Sequence, residues 1–340
     1  MTQSRKQVSA APNPKVSIVV LTWNNYDATS SCLDALRKID YSPYEVVLVD
    51  NGSSDGSYER LKEAYPEACS LQNRENLGFS RGCNVGIRHA MADAACKYIL
   101  LVNNDCTVGP VSIGRAVAVA EADHKIGVVT GKIVDEKGRI WHAGGTISLL
   151  RGQSRTRGFR EPDAGQFEEA CDTEWASGAM MLIRREVIER LGPLPEQYFF
   201  GVEEWDYSLS VQRGGYRIRY VPEFAGMHPG GGSHDNHDPK FAYNYYRNKL
   251  LFQERHLGRL LFKVWLVAFR AYLAIKMRRH IAYLASITYA EPKAERVDEV
   301  VFAAQSALRD HGKNALSEAT MLQFDAALQE WRAQRETKRV

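Results

Sequence analysis

The 340-residue chain has no C-x-x-C pair: its six cysteines, Cys32, Cys69, Cys83, Cys96, Cys106 and Cys171, stand singly. Single spacing supplies neither the ligand set of a structural zinc site nor a disulfide framework, and reduced thiols of a cytosolic protein are the expectation it leaves. Long apolar runs are missing as well. In the C-terminal part the longest uncharged apolar stretch is VWLVAF, far short of the roughly 20 residues that a membrane-spanning helix needs. Residues 1–15 are polar and lack the apolar centre of a signal peptide, so a short disordered lead-in over 1–14 is expected. Excess charge is scarce too. A net charge of +3 is too small to argue for nucleic acid, and no nucleic-acid partner is expected. Finally, no G-x-G-x-x-G follows the first apolar run; TWNNYD stands there instead, which sets aside a dinucleotide-binding enzyme of Rossmann type. A nucleotidyltransferase would want a Gly-rich, basic loop at the same place and is likewise unsupported.

What is present is a globular balance, 44% hydrophobic and 25% charged, enough for one large α/β domain with an appendage. VSIVVLT (16–22), EVVLVD (45–50) and KYILLV (97–102) are continuous apolar runs that predict buried strands, with a shorter strand near 68–72. Helical spacing falls between them, over 27–39, 57–65 and 79–92. The alternation predicts βαβ units and a mainly parallel sheet. After residue 126, IGVVTGKIV and WHAGGTISL predict more strands, and 151–166 a polar loop that is functional or mobile. MMLIRREVIERLG predicts a strand and then a short helix closed by Gly192 and Pro193.

In open sheets of this kind functional groups collect where strands end. Here the ends read Thr22-Trp23-Asn24, Asp50-Asn51 and Asn103-Asn104-Asp105. The last is a turn former by residue type, or a hard-cation site for Mg²⁺ or Mn²⁺ built on a carboxylate flanked by amide carbonyls. Asp50 to Gly56 reads as an Asn-Gly turn with an Asp cap, or as the wall of a nucleoside pocket. Asn76-Leu77-Gly78 makes a tight turn that opens a helix. Glu203-Glu204-Trp205-Asp206 places three acids in a first helical turn, which the helix dipole favours. Beside Tyr198, Phe199 and Phe200 an apolar wall would also raise a carboxyl toward general-base duty. His228, in MHPGGGS, is a structural histidine or a metal ligand, with His234 and His237 as competitors.

Taken together, VSIVVLTWNN, VVLVDNGSSDGS, NLGFSRGCNVGI, ILLVNND, WASGAMMLIRRE, FFGVEEWDYSL, MHPGGGS and YNYYRNKLLF, in this order, resemble the family 2 glycosyltransferases of the GT-A fold. Within that family the likeness is to the bacterial rhamnosyltransferase-like branch, and it covers about residues 15–255. The resemblance implies a mainly parallel central sheet flanked by helices. Thr22, Asn24, Asp50, Asn51, Asn76, Gly78 and Asn104 would line the nucleotide. Asn103 to Asp105 would be the D-x-D metal motif, with Asp105, His228 and Asn103 around Mg²⁺ or Mn²⁺. Asn103 in place of the first Asp lowers the charge offered to the ion. Glu204 would be the catalytic base with Glu203 in support, a Glu where Asp is usual. Trp175, Ser177, Gly178 and Trp205 would border the donor sugar and acceptor. The implied reaction is a single, inverting displacement that moves a sugar from a nucleotide donor to a hydroxyl of a glycan or lipid-linked glycan. The expected donor is dTDP-rhamnose; a UDP-hexose or a non-catalytic glycan-binding subunit are the alternatives.

The expected division is a glycosyltransferase domain over 15–246 and a helical region over 247–340. Residues 247–280 carry nine Lys or Arg against a single acid, Glu254. This predicts a basic amphipathic segment that lies on an anionic membrane or packs on the domain with a solvated basic face. On the first reading the protein is cytoplasmic and peripheral to the inner face of the membrane.

Overall fold

The computed structural model describes residues 13–229, 238–286, 294–312 and 317–337, with side chains for all of these except 275–286, 294–297 and 335–337. Residues 1–12 of the expected lead-in, the glycines at 230–232, and His234 and His237 lie outside the described residues.

The first half alternates as predicted: β1 (Lys15–Thr22), α1 (Tyr26–Leu36), β2 (Tyr44–Asp50), α2 (Ser57–Ala64), β3 (Cys69–Gln72), α3 (Phe79–Ala92) and β4 (Cys96–Asn103). β5 (Thr107–Val108), α4 (Ser112–Ala122), β6 (Ile126–Val134), β7 (Ile140–His142), β8 (Gly145–Ser148), β9 (Gln153–Thr156) and β10 (Cys171–Thr173) follow. The domain closes with β11 (Met180–Arg184), α5 (Arg185–Leu191), α6 (Glu203–Arg213) and β12 (Arg217–Met227). The stretch 151–166, expected to be a loop throughout, contains β9, which pairs antiparallel with β8. Its sequence QSRT has no apolar alternation because both faces are at least partly wet, so periodicity had nothing to report.

The main sheet has the order β10-β12-β6-β11-β4-β1-β2-β3. β1, β2, β3 and β4 are mutually parallel, β6 and β12 are parallel to each other, and β11 runs antiparallel between β4 and β6. Six strands therefore end on one edge, where β11 begins. Register brings the sequence motifs side by side there, since Thr22 sits opposite Asp50, Leu21 opposite Asn103 and Val102 opposite Met180.

Alternation along the buried strands feeds two cores. Val16, Ile18, Val20, Leu48 and Leu100 face one side with Leu33, Leu36 and Ile113 of the helices. Val19, Val47, Val49, Ile99 and Leu101 face the other with Ile87, Val187 and Tyr207. A continuous apolar run is what a strand covered on both faces requires. β12 is bulged between Val221 and Ala225. There the Phe224 carbonyl passes so close to Gly131 that a Cβ on the latter would sit 1.6 Å from it.

Four helices follow: α7 (Pro239–Leu257), α8 (Arg259–Ser286), α9 (Ala294–Asp310) and α10 (Glu318–Thr337). They share a core of Tyr243, Tyr246, Leu250, Phe269, Ala303 and Phe324. The division expected at 246/247 falls inside α7, which belongs to both parts: Phe252 on it packs with Tyr198 and Val202 of the sheet domain. No described helix is long and apolar enough to cross a membrane.

Gly131→Ala should destabilise the protein by about 2–3 kcal/mol or more in urea unfolding, because backbone rather than a movable side chain blocks the new methyl. An unchanged midpoint would mean that the bulge gives way.

Candidate active site

At the carboxyl edge the 103–106 turn, closed by a Cys106 N–H to Asn103 carbonyl bond of 2.9 Å, aims Asp105 across the sheet. β5 pairs with the end of β12, and the His228 amide donates to the Val134 carbonyl. These bonds set His228 Nε2 3.1 Å from Asp105 Oδ1, with 8% and 11% of the two side chains exposed. Asn103 Nδ2 lies 3.4 Å from the same nitrogen. Trp141 stacks on the imidazole at 4.8 Å, its plane tilted by only 8°. The aromatic face fixes the ring while its edge meets the carboxylate. A hard oxygen and an imidazole nitrogen held this close, with an amide beside them, match the donor set of a divalent cation that takes its remaining ligands from substrate and water. No described group of three His, Cys, Asp or Glu converges to make a closed metal cage.

The other strand-end residues divide into those that build the edge and those that leave atoms open. Asn104 donates to Thr29 Oγ1 at 2.9 Å, and Thr22 Oγ1 meets the same hydroxyl at 2.7 Å. These side chains are thus engaged within the protein and tie β4 to α1 through β1. Asn51 is similarly satisfied: its amide donates to Asn76 Oδ1 and the Gly78 carbonyl, and its oxygen accepts from Asn73 and the Leu77 amide. It holds the 73–78 turn. Gly78, at φ +80°, can take no side chain because a Cβ would meet the Phe199 carbonyl at 2.3 Å. Asn24, at φ +49°, accepts from the Ser54 amide at 2.8 Å and links the ends of β1 and β2. Asp50 accepts from the Ser53 amide through Oδ2, whereas its buried Oδ1 has no hydrogen-bond partner.

The acidic motif lies at the start of α6. Glu204 Oε1 accepts the Gly178 amide at 2.5 Å. One residue on, the Ala179 carbonyl accepts the Asn103 amide at 3.2 Å. The acid and the Asn103–Asp105 turn are therefore joined through the residues that lead into β11. A Cβ on Gly178 would lie 2.8 Å from Glu204 Oε1, so a side chain there would push the carboxylate aside. Ser177 is buried beside it, and Trp175 packs edge-on to His142 at 4.7 Å with its indole N–H unpartnered. Trp205 points elsewhere, into the cluster of Tyr198, Val202 and Phe252. Glu203 is 2% exposed and its Oε2 has no partner. Burial raises Glu203 to about 7. Burial, and then the neighbouring charge of Glu203, raises Glu204 to about 8.

The loop that delivers this pair is held from α7. Asn244 and Asn248, one turn apart, donate to the Phe200 carbonyl, and Asn248 also reaches the Gly201 carbonyl at 2.7 Å. Gly201 and Val202 then take φ of +83° and +77°, a costly setting for valine. Asp206, the third acid, is fully buried and engaged by Gln197 Nε2 and His256 Nε2, so it braces α6 against α7. The sequence offered no reason to single out Trp141. The asparagines lay in YNYYRNKLLF, where i, i+4 spacing was the available sign.

The profile described as "Glycosyl transferase family 2" matches residues 17–192. The chain belongs to this family. It is a glycosyltransferase. An N-acetylglucosaminyl-diphospho-decaprenol L-rhamnosyltransferase of Mycobacterium tuberculosis is 24% identical over 262 residues, 71% of this chain and 85% of the relative. A mannosyltransferase of Pyrobaculum calidifontis, solved with GDP-Man and Mn²⁺, superposes with a TM-score of 0.50 at 20% identity over 96% of this chain and 85% of its own. GalNAc-T7, solved with UDP, GalNAc and Mn²⁺, superposes with a TM-score of 0.52 at 17% identity over 77% of this chain and 57% of its own. The likeness supports the GT-A fold expected from the sequence.

Glu203 and Glu204 make stability depend on pH in a definite direction. Both are raised above the ordinary 4.5, so the native state keeps protons that the unfolded chain has released. The stability they contribute is full below about 4.5 and is lost as pH rises through about 7 to 8. Glu204→Gln should melt a few degrees above the parent on the alkaline side of this window, roughly the shift that 1 kcal/mol gives, and no differently on the acid side. Equal melting across the range would contradict the raised values.

Proposed function

We propose that the protein transfers a sugar, with inversion, from a nucleotide donor to a hydroxyl of a glycan or lipid-linked glycan, with rhamnose from dTDP-rhamnose as the donor sugar. The observation that carries this reading is the continuous link Glu204–Gly178–Ala179–Asn103, which sets a proton-hungry carboxyl and the Asp105–His228 pair at one strand edge.

Asp105 and His228, with Asn103 beside them, would hold Mg²⁺ or Mn²⁺. When bound, the cation supplies Lewis-acid stabilisation of the charge that gathers on a departing diphosphate. The chain's own residues do the rest. Asp50 offers an unmet acceptor, Oδ1, to a base or ribose donor, with Asn24 and the 76–78 turn as neighbouring walls. Trp175, Ser177 and Gly178 border the sugar. Glu204 Oε2 takes the proton from the acceptor hydroxyl as its oxygen attacks the anomeric carbon. Oε1 stays on the Gly178 amide and keeps the carboxylate aimed. Attack from the side opposite the diphosphate inverts the centre, and no covalent sugar–enzyme intermediate is required. A base raised to about 8 is well matched to this duty. Glu203, buried beside it, keeps its value high.

The donor assignment is supported by the rhamnosyltransferase among the relatives; a UDP-hexose is the second reading, supported by the solved neighbour with UDP. A thermal-shift panel of nucleotide sugars with and without Mn²⁺ tests both. dTDP-rhamnose with metal should give the largest shift, and Asp105→Ala should abolish the metal-dependent part. A larger shift from a UDP-hexose would replace the donor, and no shift from any sugar nucleotide would favour a glycan-binding subunit. Glu204→Gln should keep the shift while lowering kcat by about 10²–10⁴-fold; retained turnover would remove Glu204 from the role of base.

A further inference from the structure

Six of the ten large hydrophobic side chains exposed among the described residues fall on α8 and on the tip of the β8–β9 hairpin. Leu260, Leu261, Val264 and Val267 are 76%, 62%, 62% and 69% exposed, and Leu150 is 78% exposed. Positions 260, 264, 267 and 271 recur at helical spacing and form one stripe, with Leu261 and Ala268 beside it. The stripe is not the packing face of α8. Phe262, Phe269 and Leu273 are buried, the latter two against α7 and α9. Arg259, Lys263 and Arg270 are exposed along the helix, and α8 contains no Asp or Glu.

The hairpin tip is fastened to this helix. Trp265 Nε1 donates to the Leu150 carbonyl at 2.8 Å, and Gln253 Nε2 donates to the Leu149 carbonyl at 2.6 Å. Gly152, at φ +57°, lies against Gln253 and turns the chain there. Leu150 and the exposed Arg151 are thus carried beside the α8 stripe. At its other end the hairpin reaches the site: Gly145 bonds Thr173 and closes on the Trp175 indole.

We infer that the exposed face of α8 together with the Leu150 hairpin tip seats on an anionic lipid surface and thereby sets the acceptor side of the site next to the bilayer. Apolar side chains enter the headgroup boundary while Arg259, Lys263 and Arg270 meet lipid phosphates. A protein partner would answer the apolar stripe equally well, but a helix with cations and no acids is complementary to a surface of uniform negative charge. The lipid contact stands on these residues alone; only its coupling to a lipid-linked acceptor rests on the function proposed above.

Flotation of the full chain with vesicles of phosphatidylcholine, alone or with about 30% phosphatidylglycerol, tests the inference. The parent should float with the anionic vesicles at low salt and lose most of its binding in pure phosphatidylcholine or at high salt. Val264→Glu with Val267→Glu should lower binding at least about tenfold and Leu150→Glu about threefold, while Leu322→Glu, an exposed leucine on α10, should leave it unchanged. Circular dichroism and the thermal shift given by dTDP or UDP should be the same in all four proteins. Failure of the parent to float, or full binding by the doubly substituted protein, would overturn the inference. So would a parent that fails to float and is a dimer which the double substitution splits, since that assigns the face to a second copy. Vesicle binding without any nucleotide shift would leave the lipid face standing and sink the transferase reading instead.

Discussion

The site depends on one hydrogen bond, from the Gly178 amide to Glu204 Oε1. It crosses from the segment that enters β11 to the first turn of α6, and a second bond, from the Ala176 amide to Ser208 Oγ at 3.2 Å, holds the same segment to the same helix. Everything around it narrows the choice of residue. A side chain on Gly178 would displace the Glu204 carboxylate, and β11 begins where β4 ends, so the amide and the Asn103–Asp105 turn are neighbours by register. A charge-assisted bond to a backbone amide is among the stronger ones. It favours the carboxylate, whereas burial and Glu203 oppose it, and the opposition prevails.

Holding two acids together out of water is unfavourable and has to be imposed by the surroundings. Two features impose it. Gly201 and Val202 adopt left-handed backbone, and their loop is clamped by Asn244 and Asn248 from α7. Asp206 and His256 then lock α6 to α7 at 2.8 Å. The helical region is therefore part of the device that aims the base. It also carries the stripe inferred to meet lipid, so one helical unit braces the acid and orients the molecule.

The parallel half of the sheet was legible because a strand covered on both faces is apolar at nearly every position, as Ile18 to Leu21 and Ile99 to Val102 are. β9 was not, because an edge hairpin with wet faces leaves no periodic trace. Asp105 and His228 are 3.1 Å apart in space and far apart in sequence, so their union followed from family resemblance and not from spacing. Trp141 was invisible for the same reason: stacking on His228 depends on β7 crossing beside β6. Thr22, Asn51 and Asn104 stand at the strand ends, yet their polar atoms are taken by Thr29 and by the 73–78 turn, which only the three-dimensional register reveals. The change in charge at 246/247 does not mark an element boundary, since α7 runs straight through it and charge composition can change on a helix without the helix ending.

The central claim is that an ion and a base share one cleft across the entrance to β11. Anomalous diffraction from crystals grown with Mn²⁺ and dTDP measures this directly. The account predicts a manganese peak bonded to Asp105 and His228, the diphosphate on the ion, and the Glu204 carboxyl facing the open side of the same cavity. A peak bound by other residues, or a Glu204 carboxyl turned away from the nucleotide into the protein, would contradict it.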